Sequence, residues 1–392
     1  MPLAAVLKQV RTNRHFELVD VSRSTGISPA RLKEFEAGTR EPSFRQFEAL
    51  AGAYGVPSYL LSAEAFPNLP EAPVDFRKAS PRPAHLSPDG MQKIWDAEQV
   101  GQVTKQLLDA TKAPLAEWAH ELPEGIPSAA TGAKLRAYFD KWRVEREQKF
   151  GFSGRPEQVF LGCFRLFLEA QGIVVRINQA PPDDFLGFYL AVDSGLPVAF
   201  VNRKIFSPKA QLFTALHEYA HSMLDASGVS DPFAIKNDVE RSCNRFAAEF
   251  LAPKSEFSAV VEATPRAVRA DVFRFVDFIS QQSMLSKHAT AIRLKEMDYI
   301  DQREINGWLA VRSKLSAKEL KSEDDEEIES GFGQVHAKLV GEIGYLPTYL
   351  SGIALKEKII SSVDIVNSIS LSHSVQERAI ALATRRMEAA TS

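Results

Sequence analysis

The chain has 392 residues, 45% of them hydrophobic and 25% charged, with a formal net charge of −3. That length exceeds one compact core, so two or three globular domains are expected, and the charge excludes a protein that coats polyanions over its whole surface. No stretch approaches the ~20 apolar residues of a membrane span, the N-terminus lacks an apolar signal core, and Cys163 and Cys243 fit reduced, buried thiols, so a cytoplasmic protein is expected.

Residues 1–62 read as an all-helical unit. Ala4–Thr12 forms a first helix, and Leu18 to Thr25 a second that stops at the turn residue Gly26. Ser28 can cap a third helix with Pro29 at its first position, ending near Glu36. Gly38 breaks the chain, and Pro42-Ser43 restart it into Phe44–Tyr54. Helix, glycine turn, short helix, glycine break and proline restart make a helix-turn-helix layout. The run Gly26-Ile-Ser-Pro-Ala-Arg-Leu-Lys-Glu-Phe-Glu-Ala-Gly-Thr-Arg-Glu-Pro42, followed by Leu50-Ala51, resembles the Xre/Cro-repressor type. The resemblance implies that the helix after Gly26 enters a DNA major groove. Ser28, Arg31 and Lys33 are then candidates for base or phosphate contacts, and Arg11, Arg14 and Arg40 for phosphate clamps. A homodimer reading two half-sites would fit. Eight Lys/Arg against six Asp/Glu in 1–62 form no basic stripe, so docking or dimerisation stays open beside DNA binding.

Residues 63–90 hold Pro67, Pro70, Pro73, Pro81, Pro83 and Pro88, which exclude regular structure and mark a linker or extended arm. Within it, Val74-Asp-Phe-Arg-Lys78 is apolar enough at its start to pack on the domain that follows. Helical patterns follow at Gly90–Thr111, 134–150 and Phe160–Ala170, the last stopped by Gly172. Ile173–Ile177, Phe185–Val192 and Val198–Asn202 read as strands. The fold class is therefore mainly α with a small β-sheet, an α+β arrangement.

The next segment carries the chemistry. His217-Glu218-Tyr219-Ala220-His221 is an H-E-x-x-H, set in a helical pattern without Pro or Gly from Gln211 to Ser227. Positions i and i+4 share a helix face, so both imidazoles can aim at one Zn²⁺, and Glu218 can serve as general base toward a water there. A catalytic zinc takes three protein ligands. After a loop at Asp225–Pro232, a second helix from Asp238 to Leu251 can pack antiparallel and bring Glu240 to the pair. Asn244, one turn on, can hold a ligating imidazole by its other nitrogen. Glu249 and Cys243 are competitors for the third position.

Leu186-Gly-Phe-Tyr-Leu, Pro197 to Asn202, Gln211 to Leu224 and Glu240-Arg-Ser-Cys-Asn-Arg-Phe-Ala-Ala-Glu-Phe-Leu-Ala-Pro253 together resemble the ImmA/IrrE zinc metallopeptidases over about residues 160–300. Tyr219 and Ala220 depart from the family's usual His-Glu-Leu-Gly-His at positions that hold no metal. The resemblance implies zinc on His217, His221 and Glu240, with Glu218 catalytic, in a gluzincin-like core. It also implies limited proteolysis of a transcriptional repressor, probed by stress, DNA damage or prophage signals. In peptidases of this layout the strand before the metal helix often receives substrate as an added strand, which makes Val198, Ala199, Phe200, Val201 and Asn202 candidates. His288, in a helical stretch at 271–300, is the candidate oxyanion donor, with Tyr189 and Tyr219 behind it.

Residues 91–310 are thus the expected peptidase domain, and 311–392 a helical C-terminal region of unassigned role. An acidic run, Lys321 to Glu329, precedes helices at Gln334–Gly341 and Ala354–Leu382. The competing function is a DNA-binding regulator, or an antitoxin-like partner, whose peptidase fold senses or docks.

Overall fold

The computed structural model describes residues 3–13, 16–54, 56, 58–61, 74–75, 86–122, 125–205, 207–224, 228–230, 238–312 and 335–392. Arg14, most of the proline-rich arm and the acidic run lie outside the described residues.

Five helices open the chain: α1 (Leu3–Asn13), α2 (Leu18–Thr25), α3 (Pro29–Glu36), α4 (Phe44–Tyr54) and α5 (Ser58–Leu61). Gly26 ends α2 in the left-handed region, at φ 71°, where a side chain would be strained. Val6, Val10, Val21, Leu32, Phe35 and Tyr54 close a core between α1–α4. Arg11 straps it from outside: its Nε and Nη2 donate to the two carboxylate oxygens of Glu36 at 2.6 and 2.9 Å, and Nη1 donates to the Phe16 carbonyl at 2.8 Å. Arg11, expected as a phosphate clamp, is instead spent on holding α1 to α3.

After the short strand β1 (Val74–Asp75), helix α6 runs from Pro88 to Thr111. The proline expected to belong to the linker opens this helix, because a proline in the first turn forfeits no hydrogen bond. Ser87 caps it, accepting from Gly90 N at 3.2 Å, and is itself held by Asp184, which accepts from Ser87 N at 2.9 Å and from its hydroxyl. A 3-10 turn at Glu117–Glu121 leads to α7 (Ala129–Phe150) and α8 (Pro156–Ala170). Both helices start earlier than their apolar periodicity: Ser128 caps α7, and Gln158 in the first turn of α8 accepts from the Arg155 amide at 2.9 Å. Phe139, Trp142 and Phe167 interlock between them, with ring centroids 5.1–5.8 Å apart.

Strands β2 (Val174–Asn178), β3 (Gly187–Leu190) and β4 (Val198–Asn202) precede helix α9 (Pro208–Met223), which carries the H-E-x-x-H; β5 (Gly228–Ser230) and α10 (Asp238–Leu251) follow it. The sheet order is β1-β5-β3-β4-β2. β4 pairs parallel with β2 along its whole length and antiparallel with β3. Val198 to Asn202 is therefore an interior strand, buried at every position, with no edge to offer an added chain. Its role as a substrate strand is overturned. Asn202 instead ties down the preceding loop. Its Nδ2 donates to the carbonyls of Ala180 and Phe185, each at 3.0 Å, and its Oδ1 accepts from the amides of Ala180 and Lys204 at 3.2 and 3.0 Å.

The remaining helices are α11 (Lys254–Ala263), α12 (Arg266–Arg269), α13 (Val272–Gln281), α14 (Lys287–Glu296), α15 (Gln302–Arg312), α16 (Val335–Ile343), α17 (Tyr345–Lys356), α18 (Ser362–Ile369) and α19 (His373–Thr391). The single helix expected over Ala354–Leu382 is three, broken where Lys358 and Ser370 adopt φ 59° and 57°. Nor do residues 335–391 stand apart from the expected peptidase domain. Glu169 of α8, fully buried, accepts from Arg165 Nε at 3.1 Å and from the Leu346 amide at 2.6 Å. Arg386 Nε donates to Phe150 O at 3.0 Å, and Trp118 Nε1 to Ala390 O at 3.2 Å. No helix among the described residues is long and apolar enough to cross a membrane.

Candidate metal centre

Helix α9 is apolar on nearly every side, and its polar residues His217, Glu218 and His221 are fully buried with it. Buried polar side chains need partners, and α10 supplies them across the gap. Glu240, in the first turn of α10 and also fully buried, sets Oε2 3.2 Å from His217 Nε2 and Oε1 3.2 Å from His221 Nε2. The two Nε2 atoms are 3.1 Å apart. Donor atoms bound tetrahedrally at roughly 2.0–2.1 Å from zinc stand roughly 3.3 Å from each other. Two imidazole nitrogens 3.1 Å apart, each 3.2 Å from one oxygen of the same carboxylate, fit that requirement in size and in donor chemistry. No other trio of His, Cys, Asp or Glu among the described residues is so grouped.

Asn244 sits one turn beyond Glu240, with its Oδ1 2.9 Å from His217 Nδ1. An amide oxygen only accepts, so Nδ1 carries the proton and the Nε2 lone pair points into the triangle. Among the three side chains alone, with protons on Nε2 where a cation would stand, the imidazoles hold Glu240 ionised. Burial opposes the charge of Glu240, but the charge of His217 and the hydrogen bonds from both imidazoles overcome it and hold the carboxyl at about 2. Burial disfavours charge on His217 too, yet Glu240 outweighs it and raises that imidazole, whereas burial lowers His221. The site thus keeps an anion and a neutral imidazole out of water, an environment that a divalent cation would complete.

Glu218 leans against β3. A Cβ built on Gly187 would stand 2.4 Å from Glu218 Oε1 and 2.6 Å from Thr214 Cγ2, so only glycine leaves room for the carboxylate. Gly187 carries no chemistry of its own, and its sole sequence signal was a glycine inside a strand pattern, the usual mark of close backbone approach.

The competitors are committed elsewhere. Glu249 pairs with Arg293 of α14 and accepts from the Lys254 amide at 2.9 Å. Cys243 is fully buried, and burial raises its thiol well above the ordinary range, so it offers no thiolate. His288 lies against the indole of Trp308, ring centroids 6.2 Å apart, with burial lowering its imidazole. That is a packing position on α14 and α15, and it does not join His288 to the triangle. Tyr219 faces Phe164 and Phe246, on the other side of α9 from the triangle.

In the N-terminal unit, Ser28 caps α3 by accepting from Arg31 N at 3.4 Å, so its hydroxyl has a structural task. Arg31 and Arg40 both approach Glu34, at 3.3 and 3.8 Å. Lys33 is exposed.

Residues 168–295 match the family model of the M78 peptidases, described as an IrrE N-terminal-like domain. Residues 2–63 match the model of a helix-turn-helix domain. Neither a curated protein nor a solved structure matches the chain. The triangle His217–His221–Glu240 and the glycine-backed Glu218 both lie inside the first matched span, so the chain joins an IrrE N-terminal-like peptidase domain to an N-terminal helix-turn-helix domain.

Proposed function

We propose that this protein is a zinc-dependent endopeptidase with a DNA-binding domain, acting in the cytoplasm on a transcriptional repressor in a stress, DNA-damage or prophage and defence response. The observation that carries the reading is the buried triangle of His217 Nε2, His221 Nε2 and Glu240, with Glu218 beside it. Zn²⁺ held there supplies Lewis acidity, which acidifies water and polarises a carbonyl oxygen. The chain's own residues do the rest. Asn244 fixes the tautomer of His217, so its Nε2 is presented as a lone pair. Glu218, braced on Gly187, takes the proton of the attacking water on a carboxylate oxygen and passes it to the leaving amine nitrogen. The surrounding apolar faces of α9 and α10 exclude bulk water and so strengthen each of these interactions.

The N-terminal domain would bring the peptidase to operator-bound protein, with Ser28, Arg31, Lys33 and Arg40 near the nucleic acid. A homodimer would match two half-sites. The second reading, a regulator whose helix-turn-helix docks protein, draws support from Glu34, which sits between Arg31 and Arg40 and offsets their charge.

The test is elemental analysis with a cleavage assay against helix-turn-helix repressors. Wild type should carry about one zinc per chain. Glu218→Gln should keep the metal and lose turnover, and His217→Ala should lose both. Wild type that takes up no zinc after supplementation would remove the peptidase reading.

A further inference from the structure

The five-stranded sheet has two outer edges, and they are closed in different ways. On β2, Val174 N bonds Pro197 O at 2.9 Å and Asn178 O accepts from Arg203 N at 2.8 Å, so the even-numbered residues face β4. The odd-numbered ones face outward. There the carbonyls of Val175 and Ile177 accept from Arg165 Nη2 at 2.6 Å and Arg203 Nη2 at 3.0 Å. Arg203 is itself anchored to Glu342 at 2.7 Å, and Arg165 to Glu169. Two pinned arginines thus cap the very groups an added strand would use, and this edge is sealed.

Among the described residues, the other edge is covered by the chain's own arm. β5 pairs inward with β3, Gly187 opposite Ser230 and Tyr189 opposite Gly228. Outward, among the described residues, it pairs with β1, Val74 beside Gly228 and Asp75 beside Val229. Gly187 is the residue against which Glu218 rests, so β5 runs one strand away from the general base. A pairing of two residues is marginal as a strand.

We propose that the outer edge of β5 is where an extended segment of a protein substrate pairs, and that Val74–Asp75 occupy that edge in cis, so arm and substrate compete for it. The proposal rests on the peptidase reading above and adds two things to it. The substrate segment is recognised through its main chain, as an unfolded or linker stretch rather than a folded helix. Binding also requires the arm to leave, so apparent affinity falls by the fraction of molecules whose edge is open.

The experiment uses the full chain in a Glu218→Gln background, where bound peptide is not consumed. The probes are fluorescein-labelled pools of random decapeptides, read by anisotropy. Two variants set the arm. Val74→Pro with Asp75→Pro removes the arm's ladder amides. Asp75→Cys with Val229→Cys locks adjacent strand partners by a disulfide. The native Cys163 and Cys243 are fully buried and stay out of that reaction. We expect the proline variant to bind a pool at least tenfold tighter than its parent. The oxidised lock should bind at least tenfold weaker than the same protein reduced with a phosphine. Equal affinity in all states, or no binding in any, overturns the proposal. Zinc is measured on the same samples. Metal-free protein counts against the peptidase reading alone, whereas zinc-loaded protein with state-independent binding overturns the edge alone.

Discussion

Gly187→Ala tests how tightly Glu218, the proposed general base, is held. The added Cβ would lie 2.4 Å from Glu218 Oε1 and 3.1 Å from its Cδ, whereas ordinary contact begins at 3.4 Å, so the oxygen must retreat by about 1 Å. Gly187 is not among the glycines with positive φ, so alanine brings no backbone strain and the effect is one of contact. A misplacement of about 1 Å at a reacting group costs on the order of 10²-fold in rate, or roughly 2.7 kcal/mol of barrier. The same Cβ meets Thr214 Cγ2 at 2.6 Å, and that overlap falls on stability instead, at about 1–3 kcal/mol. Thr214→Ser removes the methyl and separates the two costs. Turnover of a peptide the wild type cleaves should fall about a hundredfold in Gly187→Ala and stay low in Gly187→Ala/Thr214→Ser, while Tm recovers in the double variant. Zinc content should be unchanged in both. Placing the pair in a Glu218→Asp background, where the carboxylate is one methylene shorter, should shrink the penalty of the alanine. Full turnover in Gly187→Ala, or loss of its zinc, would refute the brace.

Other outcomes follow from the same geometry. Glu240→Ala should lose zinc by elemental analysis, whereas Glu249→Ala should keep it and lose about 3 kcal/mol of stability to urea, because Arg293 is left buried without its carboxylate. Retention of zinc in Glu240→Ala would remove the third ligand. Asn202→Ala gives up four hydrogen bonds and should cost about 3 kcal/mol in urea unfolding while leaving peptide affinity within about threefold; a selective loss of affinity would return Asn202 to the substrate. Burial raises the Glu169 carboxyl to about 7, so the folded state prefers it protonated. The stability this confers is complete below the unfolded value near 4.5 and is lost as pH rises through 7, to a total of about 3 kcal/mol. Urea unfolding between pH 5 and 8 should show that decline in wild type and a flatter profile in Glu169→Gln; parallel profiles would refute it.

The parts of this molecule legible in the sequence are those with local physics. The spacing of His217 and His221 on a helix needs no tertiary information, nor does the capping of α3 by Ser28. Strand β4 came out with its correct bounds because five apolar or β-favouring residues ended at a turn. Two other strands did not. β5 is three residues in a loop of Asp, Gly and Pro, and β1 is two residues among prolines, so neither carries a periodic signal; both exist only through pairing. The place of Glu240 early in the second helix already favours it over Glu249, but the ion pair that commits Glu249, to Arg293 44 residues on, has no spacing rule to reveal it. Arg11 misled for the same reason, since its carboxylate lies 25 residues away.

The C-terminal helices also bear on the order in which the protein becomes competent during synthesis. The metal helix ends at Met223, but Leu346 supplies the amide that satisfies Glu169, and Arg386 closes over Phe150. Residues 224–344 must therefore emerge from the ribosome before the scaffold behind the sheet can settle. The N-terminal helices, with a core of their own, can fold long before that. A nascent chain would thus present a finished helix-turn-helix domain while the domain behind it is still unassembled, and that domain is complete only when nearly the whole described polypeptide has been made.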